Sequence, residues 1–458
     1  MYGTFDLKNR VVRIEAAEYT YFENSKCVAF YDGLPADQIE EFFREGNLEE
    51  EWKEAFISPF ILILFQKDSG KMLIIQHLFG SGKNLYLCKK DNKICLASSL
   101  RELKQLVQIP FKLNIPMLPY YFYNGFLPGT HTLIDGVQKL GAGTYVIIDN
   151  SGIHKEPLKF SDLSANINSE NSEIEYHRAL TGSIYEVTKD ITDTISLALS
   201  GGYDSNCILY SIKKRWPNVK VNAFSVGGVN GVDETGIAAE IAKYYDNVSF
   251  RSSFVSPDTL DHLDEIVSIL EGSVYERGIF LQYELAKLLT SNRVRNLICG
   301  ECADQVFHRN TYSPIPENTF LYGYLDTPYQ MAVYAVLKKN RMMMNAFGIN
   351  TRYPFLTPQM LSVGYMTREI NGTTKEFHKT QCRELFPPEI LDLISKQGGS
   401  TDLGALFQKE FDCSKELEKC KYYSTDFRLT GKYSYEEAIR DYYLSLLYLE
   451  SFEKQFCD

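Results

Sequence analysis

A change of pattern near residue 160 constrains this chain more than any other feature. Before it, short β-branched and apolar runs follow one another with little helix between them, at 59–66, 71–78, 84–88 and 93–98. The last two flank the turn Lys90-Asp91-Asn92, and a further run, 144–149, follows Gly141-Ala142-Gly143. Runs of that kind read as an antiparallel sheet layer. Residues 161–173, rich in Ser, Asn and Glu, read as a linker. Beyond it, strand and helix periods alternate: helix 175–189, strand 194–200, helix 205–215, strand 219–225, helix 233–245, a helix over 278–290 and a strand at 295–299. That alternation predicts a doubly wound parallel sheet with helices on both faces. From residue 325 onward the pattern is helical. The expected domains are 1–160 and 174–458.

Length and charge narrow the function classes. The chain has 458 residues, enough for two or three domains at roughly 100–200 residues each. It carries 59 acidic and 48 basic residues, a formal charge of −11. That balance argues against broad contact with nucleic acid, which needs clustered Lys and Arg, while leaving room for a small nucleotide pocket. The densest apolar run, 60–65, falls far short of the ~20 residues a membrane helix needs. The opening Met1-Tyr2-Gly3-Thr4-Phe5-Asp6 shows neither a basic nor an apolar signal region, so a cytoplasmic protein with reduced cysteines is expected. Cys299-Gly300-Glu301-Cys302 is formally C-x-x-C. It lacks a second pair or a thioredoxin-like setting, and reads as two ordinary thiols. Gly80-Ser81-Gly82-Lys83 lacks the first Gly and the final Ser/Thr of a Walker loop and reads as a hairpin turn.

The most informative stretch is Ser200-Gly201-Gly202-Tyr203-Asp204-Ser205, placed after an apolar strand and opening a helix. Two glycines allow a tight turn and close approach of a ligand. The helix start points backbone N–H groups at one spot, where the dipole favours an anion. Asp204 is out of place in an anion pocket unless a divalent cation bridges it to the anion, as Mg²⁺ does with phosphates. A capped glycine turn with no ligand is the alternative reading of these six residues. Their position at a strand's C-terminal end favours the functional one.

The stretch resembles the SGGxDS pyrophosphate loop of the N-type ATP pyrophosphatases. Three further segments are similar to the asparagine synthetase family. They are 299–305 (CGECADQ, against SGEGADE), 341–356 (RMMMNAFGINTRYPFL, against RMSMAHGVEARVPFLD) and Lys379-Thr-Gln-Cys-Arg383 with Phe386-Pro387 and Ser395-Lys396-Gln397-Gly398. Weaker likeness extends into the N-terminal half through Phe79-Gly80, Leu85-Tyr86, 97–99, 127–130, Gly136 and Leu140. The resemblance implies an α/β chain in two parts. The first is an Ntn-hydrolase-like (class II glutamine amidotransferase-like) αββα domain, and the second an ATP pyrophosphatase domain.

Carried over position by position, the resemblance implies ATP and Mg²⁺ as cofactors. Asp204 and Asp304 would hold the metal, and Ser200, Gly201, Gly202 and Ser205 would cradle the phosphates. Val226, Cys299 and Gly300 would line the adenine pocket. Lys396 would contact the phosphates, with Lys379 a second family lysine, and Glu301 would act at the reacting centre. Arg352 would hold a substrate carboxylate or, equally, a neighbouring acid. Asp233-Glu234 matches a family pair, though acids are common in any first helical turn. Asn350 stands where the family usually has Glu.

The N-terminus departs from the pattern. Glutamine-using members begin Met-Cys-Gly-Ile-Phe, with the Cys as thiol nucleophile; here Tyr2 fills that register. A phenol with a pKa of about 10 does not replace that thiol. The Asn-Gly-Glu motif that holds glutamine keeps only Gly33, within Phe30-Tyr-Asp-Gly-Leu-Pro35, and the family's Arg-Asp has become Gln76-His77. The expected protein is therefore an AMP-forming amide ligase without glutaminase chemistry. Its partners would be a small-molecule or peptide carboxylate and an amine, with neither nucleic acid nor membrane. It resembles β-lactam synthetases, which close an amide within one molecule but generally carry Tyr at the place of Glu301. A macrolactam cyclase of natural-product biosynthesis, an ammonia-dependent asparagine synthetase and a nucleotide-binding pseudoenzyme are the other readings. Oligomeric state, including a homo-oligomer, is not legible in the sequence.

Overall fold

The computed structural model describes the chain apart from residues 7–10, 16–18, 34–59, 78–82, 128, 150, 158–170, 192–193, 229–233, 308–331, 372–375, 395–402, 409–410, 425–434 and 458. The Gly80-Ser81-Gly82 turn, Lys396, Asp233 and nearly all of the expected linker lie outside the described residues. The chain divides into two compact units. One comprises Met1–Phe160, Glu271–Val274 and Ser451–Asp458, and the other Ser161–Leu270 and Tyr275–Glu450.

The first unit holds two antiparallel sheets. Strands β1 (Tyr2–Asp6), β2 (Val11–Glu15), β7 (Tyr86–Lys90), β8 (Lys93–Ala97) and β9 (Val137–Lys139) form one, in the order β2-β1-β8-β7-β9. Strands β3 (Thr20–Glu23), β4 (Cys27–Asp32), β5 (Ile61–Gln66), β6 (Lys71–Gln76), β10 (Thr144–Asp149) and β11 (Gly152–Pro157) form the other, in the order β11-β10-β6-β5-β4-β3. Phe5, Leu87, Ile94 and Leu96 of the first sheet share a core with Ile61, Ile63, Met72, Ile74, Val146 and Ile148 of the second. A second cluster, with Ala29, Tyr31, Leu62, Leu64 and Ile75, covers the other face of the six-stranded sheet. Strand β5 is thus buried on both sides, which is why Ile61-Leu62-Ile63-Leu64 is an unbroken apolar run rather than an alternating one. Helix α1 (Leu100–Val107) packs Leu103 and Val107 towards β7 and β8. Its start is set by Ser99, whose side chain accepts the Glu102 N–H while its hydroxyl reaches back to the Glu102 carboxylate. Between β7 and β8, Asp91 takes the left-handed conformation (φ 53°) that a two-residue hairpin loop needs and Asp tolerates.

Within the same unit the segment Glu271–Val274 is held by side-chain contacts. Glu271 accepts the Leu100 N–H at 2.9 Å, and Asn84 donates to the Ser273 hydroxyl at 3.0 Å. Gly272 (φ 67°) lies where a Cβ would fall 2.7 Å from the Phe452 ring. No periodicity in the sequence announces this four-residue excursion.

The second unit is built on a wholly parallel sheet of β12 (Thr194–Ala198), β13 (Lys220–Gly228), β14 (Val248–Val255), β15 (Asn296–Ile298) and β16 (Asn350–Arg352), in the order β14-β13-β12-β15-β16. The expected doubly wound sheet is present. Its two edge strands, β14 and β16, carry no unbroken apolar run. In Val248-Ser-Phe-Arg-Ser-Ser-Phe-Val255 four of the eight residues are exposed, and β16 is three polar residues. The connecting helices used below are α2 (Ser172–Thr188), α3 (Tyr203–Arg215), α4 (Glu234–Lys243), α5 (Gly278–Ser291), α6 (Ala303–Val306), α7 (Leu337–Ala346) and α8 (Glu376–Leu385). The strand order reverses between β12 and β15, and such a switch point opens a crevice at the strands' carboxyl ends. Among the described residues no helix is long and apolar enough to cross a membrane.

Candidate active site

Both strands flanking the switch point run into a loop and then a helix. After β12, the Leu199 N–H still donates to Phe224 at 2.8 Å, holding the chain to β13 one residue beyond the strand. The loop then closes on itself. Ser200 Oγ accepts the Gly202 N–H at 3.2 Å, Ser205 Oγ accepts the Ser200 N–H at 3.0 Å, and the two hydroxyls lie 3.1 Å apart. Asn206 donates from Nδ2 to the Ser200 and Gly202 carbonyls at 2.9 and 2.7 Å. Both serines therefore brace the turn itself. Gly201 is closely packed for another reason: a Cβ there would sit 3.1 Å from the Ile237 side chain of α4. Gly202 is the N-cap of α3, with Asp204 in its first turn.

After β15, the Cys299 N–H donates to the Arg352 carbonyl at 2.9 Å, which extends the pairing with β16. Gly300 then crosses the backbone of the first loop, where a Cβ would lie 3.1 Å from the Ser205 nitrogen. Cys302, at φ 72°, caps α6 in the left-handed conformation that glycine adopts freely and cysteine does not. The resembled motif has its second Gly at this position. Burial pushes the thiols of Cys299 and Cys302 up, so both stay protonated at neutral pH. All ten cysteines are free.

Glu301 stands between the two loops. Burial holds its carboxyl above the usual range; Lys339 pulls it down, and Glu276, Asp304 and Asp204 push it further up. Asp204 and Asp304 thus both act on the same carboxylate. A chain of amides and hydroxyls leads to it. Gln282 of α5 donates to Glu301 at 3.2 Å, Asn340 of α7 donates to Gln282 at 3.0 Å, and the Tyr353 hydroxyl donates to Asn340 at 2.5 Å. Lys339 is ion-paired with Glu276, which also accepts the Gly278 N–H at 2.7 Å.

For a metal, the donor chemistry is hard oxygen. Among the described residues no three His, Cys, Asp or Glu side chains form a ready cage. Mg²⁺ takes one or two carboxylates and completes its shell with phosphate oxygens and water, so Asp204 and Asp304 fit that ion in company with a polyphosphate.

The remaining sequence candidates are placed as follows. Val226 lies in β13, half-buried and paired with Ser253. The Arg352 fork is engaged by both oxygens of Asp190, one at 2.9 Å, and donates to the Val187 carbonyl. A neighbouring acid, one of its two expected partners, is thus in contact with it. Lys379 pairs with Glu376 at 3.7 Å on its own helix. Arg383, from the same motif, sits over the Tyr203 ring at 5.7 Å, so helix α8 packs on the first loop's helix.

Sequence reasoning missed Gln282, Asn340, Tyr353, Lys339 and His378. The fully buried His378 lies 2.9 Å from Asp204 through Nε2 and 2.8 Å from the Tyr176 hydroxyl through Nδ1. Its signal was adjacency: it precedes Lys379, inside a motif already singled out. Tyr353 likewise lies inside the 341–356 motif and Lys339-Asn340 immediately precede it, whereas Gln282 carries no local pattern.

Comparison with known proteins finds two family models. The asparagine synthase model matches residues 192–318, and the glutamine amidotransferase domain model matches residues 46–159. An asparagine synthetase [glutamine-hydrolyzing] of Zea mays is 26% identical over 180 residues, 36% of this chain and 30% of the maize protein. A Methanocaldococcus jannaschii relative described in the same terms is 22% identical over 258 residues, 54% of this chain and 50% of its own. The chain thus spans half or less of the length of these relatives. The solved U34-tRNA thiolase NcsA from Methanococcus maripaludis is 17% identical, covering 55% of this chain and 90% of that one, at a TM-score of 0.26.

Proposed function

Since the chain is similar to asparagine synthetases, through an asparagine synthase model at 192–318 and a glutamine amidotransferase model at 46–159, we propose that it is an ATP- and Mg²⁺-dependent amide ligase that adenylates a substrate carboxylate and joins it to an amine without hydrolysing glutamine. The observation that carries this reading is the crossing of Gly300 over Ser205 at the switch point, which brings Asp204, Glu301 and Asp304 into one electrostatic neighbourhood.

The reaction has two steps. A carboxylate oxygen attacks the α-phosphorus of ATP; the new O–P bond forms as the bridging bond to the β-phosphorus breaks, and pyrophosphate leaves. An amine nitrogen then attacks the acyl carbon, loses a proton, and AMP departs. In this reading the N–H groups opening α3 and the braced 199–202 turn hold the departing pyrophosphate, where fixed donors need no reorganisation. A divalent cation held by Asp204 and Asp304 would neutralise charge on the phosphate oxygens. Glu301, raised by burial and oriented by Gln282, accepts the proton of the attacking nitrogen. In the same reading Val226, Cys299 and Gly300 would line the adenine side, and Lys396, outside the described residues, would be the lysine that contacts the phosphates.

The nitrogen source follows from Tyr2. Its hydroxyl donates to the Glu15 carboxylate and is held above the ordinary phenol range chiefly by that bond, so no anionic nucleophile stands at this position. The nitrogen then comes from a free amine, from ammonia or from the substrate itself, as in a lactam or macrolactam cyclase. Retention of Glu301 favours a second reading, ammonia-dependent asparagine synthesis.

Incubation with ATP, Mg²⁺ and panels of acids and amines is expected to release pyrophosphate and AMP with loss of one water from the joined substrates. ADP and orthophosphate as products overturn the proposal. Asparagine from aspartate and ammonium, with none from glutamine, selects the second reading.

A further inference from the structure

We propose that His378 and Tyr176 are positioning residues that fix the Asp204 carboxylate at the nucleotide site through a buried, unidirectional hydrogen-bond relay. The inference rests on the proposed role of Asp204 as a metal-holding carboxylate. It goes beyond that role in assigning two residues from other helices.

Three helices meet here. Tyr176 comes from α2, Asp204 from the first turn of α3, and His378 from α8. The Tyr176 hydroxyl is 2.8 Å from His378 Nδ1, and His378 Nε2 is 2.9 Å from Asp204 Oδ1. Tyr176 and His378 are fully buried, whereas Asp204 is about a quarter exposed, so the relay runs from the core outward to the crevice.

The direction of the relay follows from chemistry. A carboxylate only accepts, so Nε2 must carry the hydrogen that faces it. Burial and the neighbouring thiols of Cys207 and Cys382 hold the Tyr176 phenol far above its ordinary range, so it keeps its proton and can donate to Nδ1. The network thus assigns the Nε2–H tautomer to His378, with Tyr176 selecting it. The ring itself has little freedom. Phe307 stacks on it at 4.7 Å and 9°, and Phe355 meets it edge-on at 5.3 Å and 89°. A ring clamped on two sides presents its donor from a fixed point, and one oxygen of Asp204 is thereby held to one place. Outer partners of this sort orient metal-ligating groups, and their loss typically lowers metal affinity or activity about 10–100-fold.

Two variants separate positioning from packing. His378→Phe keeps an aromatic ring between Phe307 and Phe355 but removes the donor; Tyr176→Phe keeps the ring and removes the hydroxyl that selects the tautomer. Three quantities are read: binding of Mn²⁺ with a non-hydrolysable ATP analogue by electron paramagnetic resonance, the melting temperature, and the KM for metal–ATP against kcat in pyrophosphate exchange. His378→Phe is expected to weaken Mn²⁺–nucleotide binding and raise the KM about 10–100-fold. Tyr176→Phe is expected to give a smaller loss with the same split, and His378→Gln, which restores an N–H donor, to recover part of it. In the unmodified protein, two-bond ¹H–¹⁵N correlation of the imidazoles should show His378 as the Nε2–H tautomer, and Tyr176→Phe should disturb that signal.

Wild-type Mn²⁺–nucleotide binding in a folded His378→Phe overturns the proposal. So does an Nδ1–H tautomer, and that readout remains should His378→Phe fail to fold. If the unmodified protein binds no metal–nucleotide while the Nε2–H signal is present, the relay stands as geometry and the ligase reading fails instead.

Discussion

The two units keep their frames equally well and their chemical groups unequally. In the first unit, Gly3 is retained where a Cβ would lie 2.4 Å from the Arg13 carbonyl, so the backbone of β1 still demands glycine beside β2. The residue before it, the nucleophile's register in the resembled pattern, is Tyr2, bonded across the strand pair to Glu15. In the second unit, Gly300 is retained for a similar reason, and here Glu301 and Asp304, the carboxylates proposed to carry the chemistry, stand beside it. A glycine at a close crossing answers to packing. On the proposed function, a carboxylate beside it answers to reaction chemistry, because charge near other charges costs stability. The comparison separates what a fold must keep from what a function must keep.

The largest expected effect breaks or upholds this contrast directly. Asp204→Asn and Asp304→Asn should each lower pyrophosphate exchange by about 10²–10³, on the order of 3–4 kcal/mol of barrier, with melting temperature little changed. Exchange at wild-type rates in either variant would place the chemistry elsewhere.

Glu301→Gln comes next, and it carries a sign. The folded carboxyl lies above its ordinary value of 4.5, first because burial disfavours the charge. The group's stabilising contribution is present below the unfolded value and is lost as pH rises through the folded one. Once ionised, Glu301 is therefore a net cost to stability. Glu301→Gln should abolish amide formation with free amines, melt like the parent at about pH 4, and melt higher at about pH 8. A lower melting point at pH 8 would show that the charged form is stabilised.

Gly300→Ala tests the crossing itself. The added methyl meets the Ser205 backbone at 3.1 Å, and backbone cannot rotate away. A displacement of even a fraction of an ångström between the two loops should raise the KM for ATP and lower kcat, together by about 10²-fold. Unchanged kinetics would show the loops to be independent.

These predictions also mark how much was readable beforehand. The β12 loop and the parallel sheet were legible because strand, doubled glycine and helix are contiguous, and the physics of a helix start acts over a few residues. Edge strands β14 and β16 were not: Ser and Arg interrupt the Val and Phe of β14, and β16 is Asn, Thr and Arg. Glu301 was legible within its motif. Gln282 and Asn340, which orient it, come from helices that no local pattern connects. Arg352 was read two ways because a guanidinium serves a substrate acid and a structural acid alike; Asp190 is an acid of the second kind. Arg352→Ala should accordingly cost about 1 kcal/mol of stability, modest because Asp190 is largely exposed, and leave the KM for the carboxylate substrate unchanged. A rise in that KM with stability intact would return Arg352 to the substrate pocket.

The smallest expected effect belongs to Tyr2, and its smallness is the informative part. The side chain lies on the partly exposed face of β1, with Gly3 and Phe5 facing the core. Its hydroxyl makes an exposed bond to Glu15 in competition with water, and Phe keeps the ring. Tyr2→Phe should therefore shift the melting temperature by no more than about 2 °C and leave amide formation from a free amine unchanged. It should neither create nor remove glutamine hydrolysis. A tenfold fall in amide formation with the fold intact would mean that the phenol takes part in the reaction, and that the first unit kept a chemical role along with its frame.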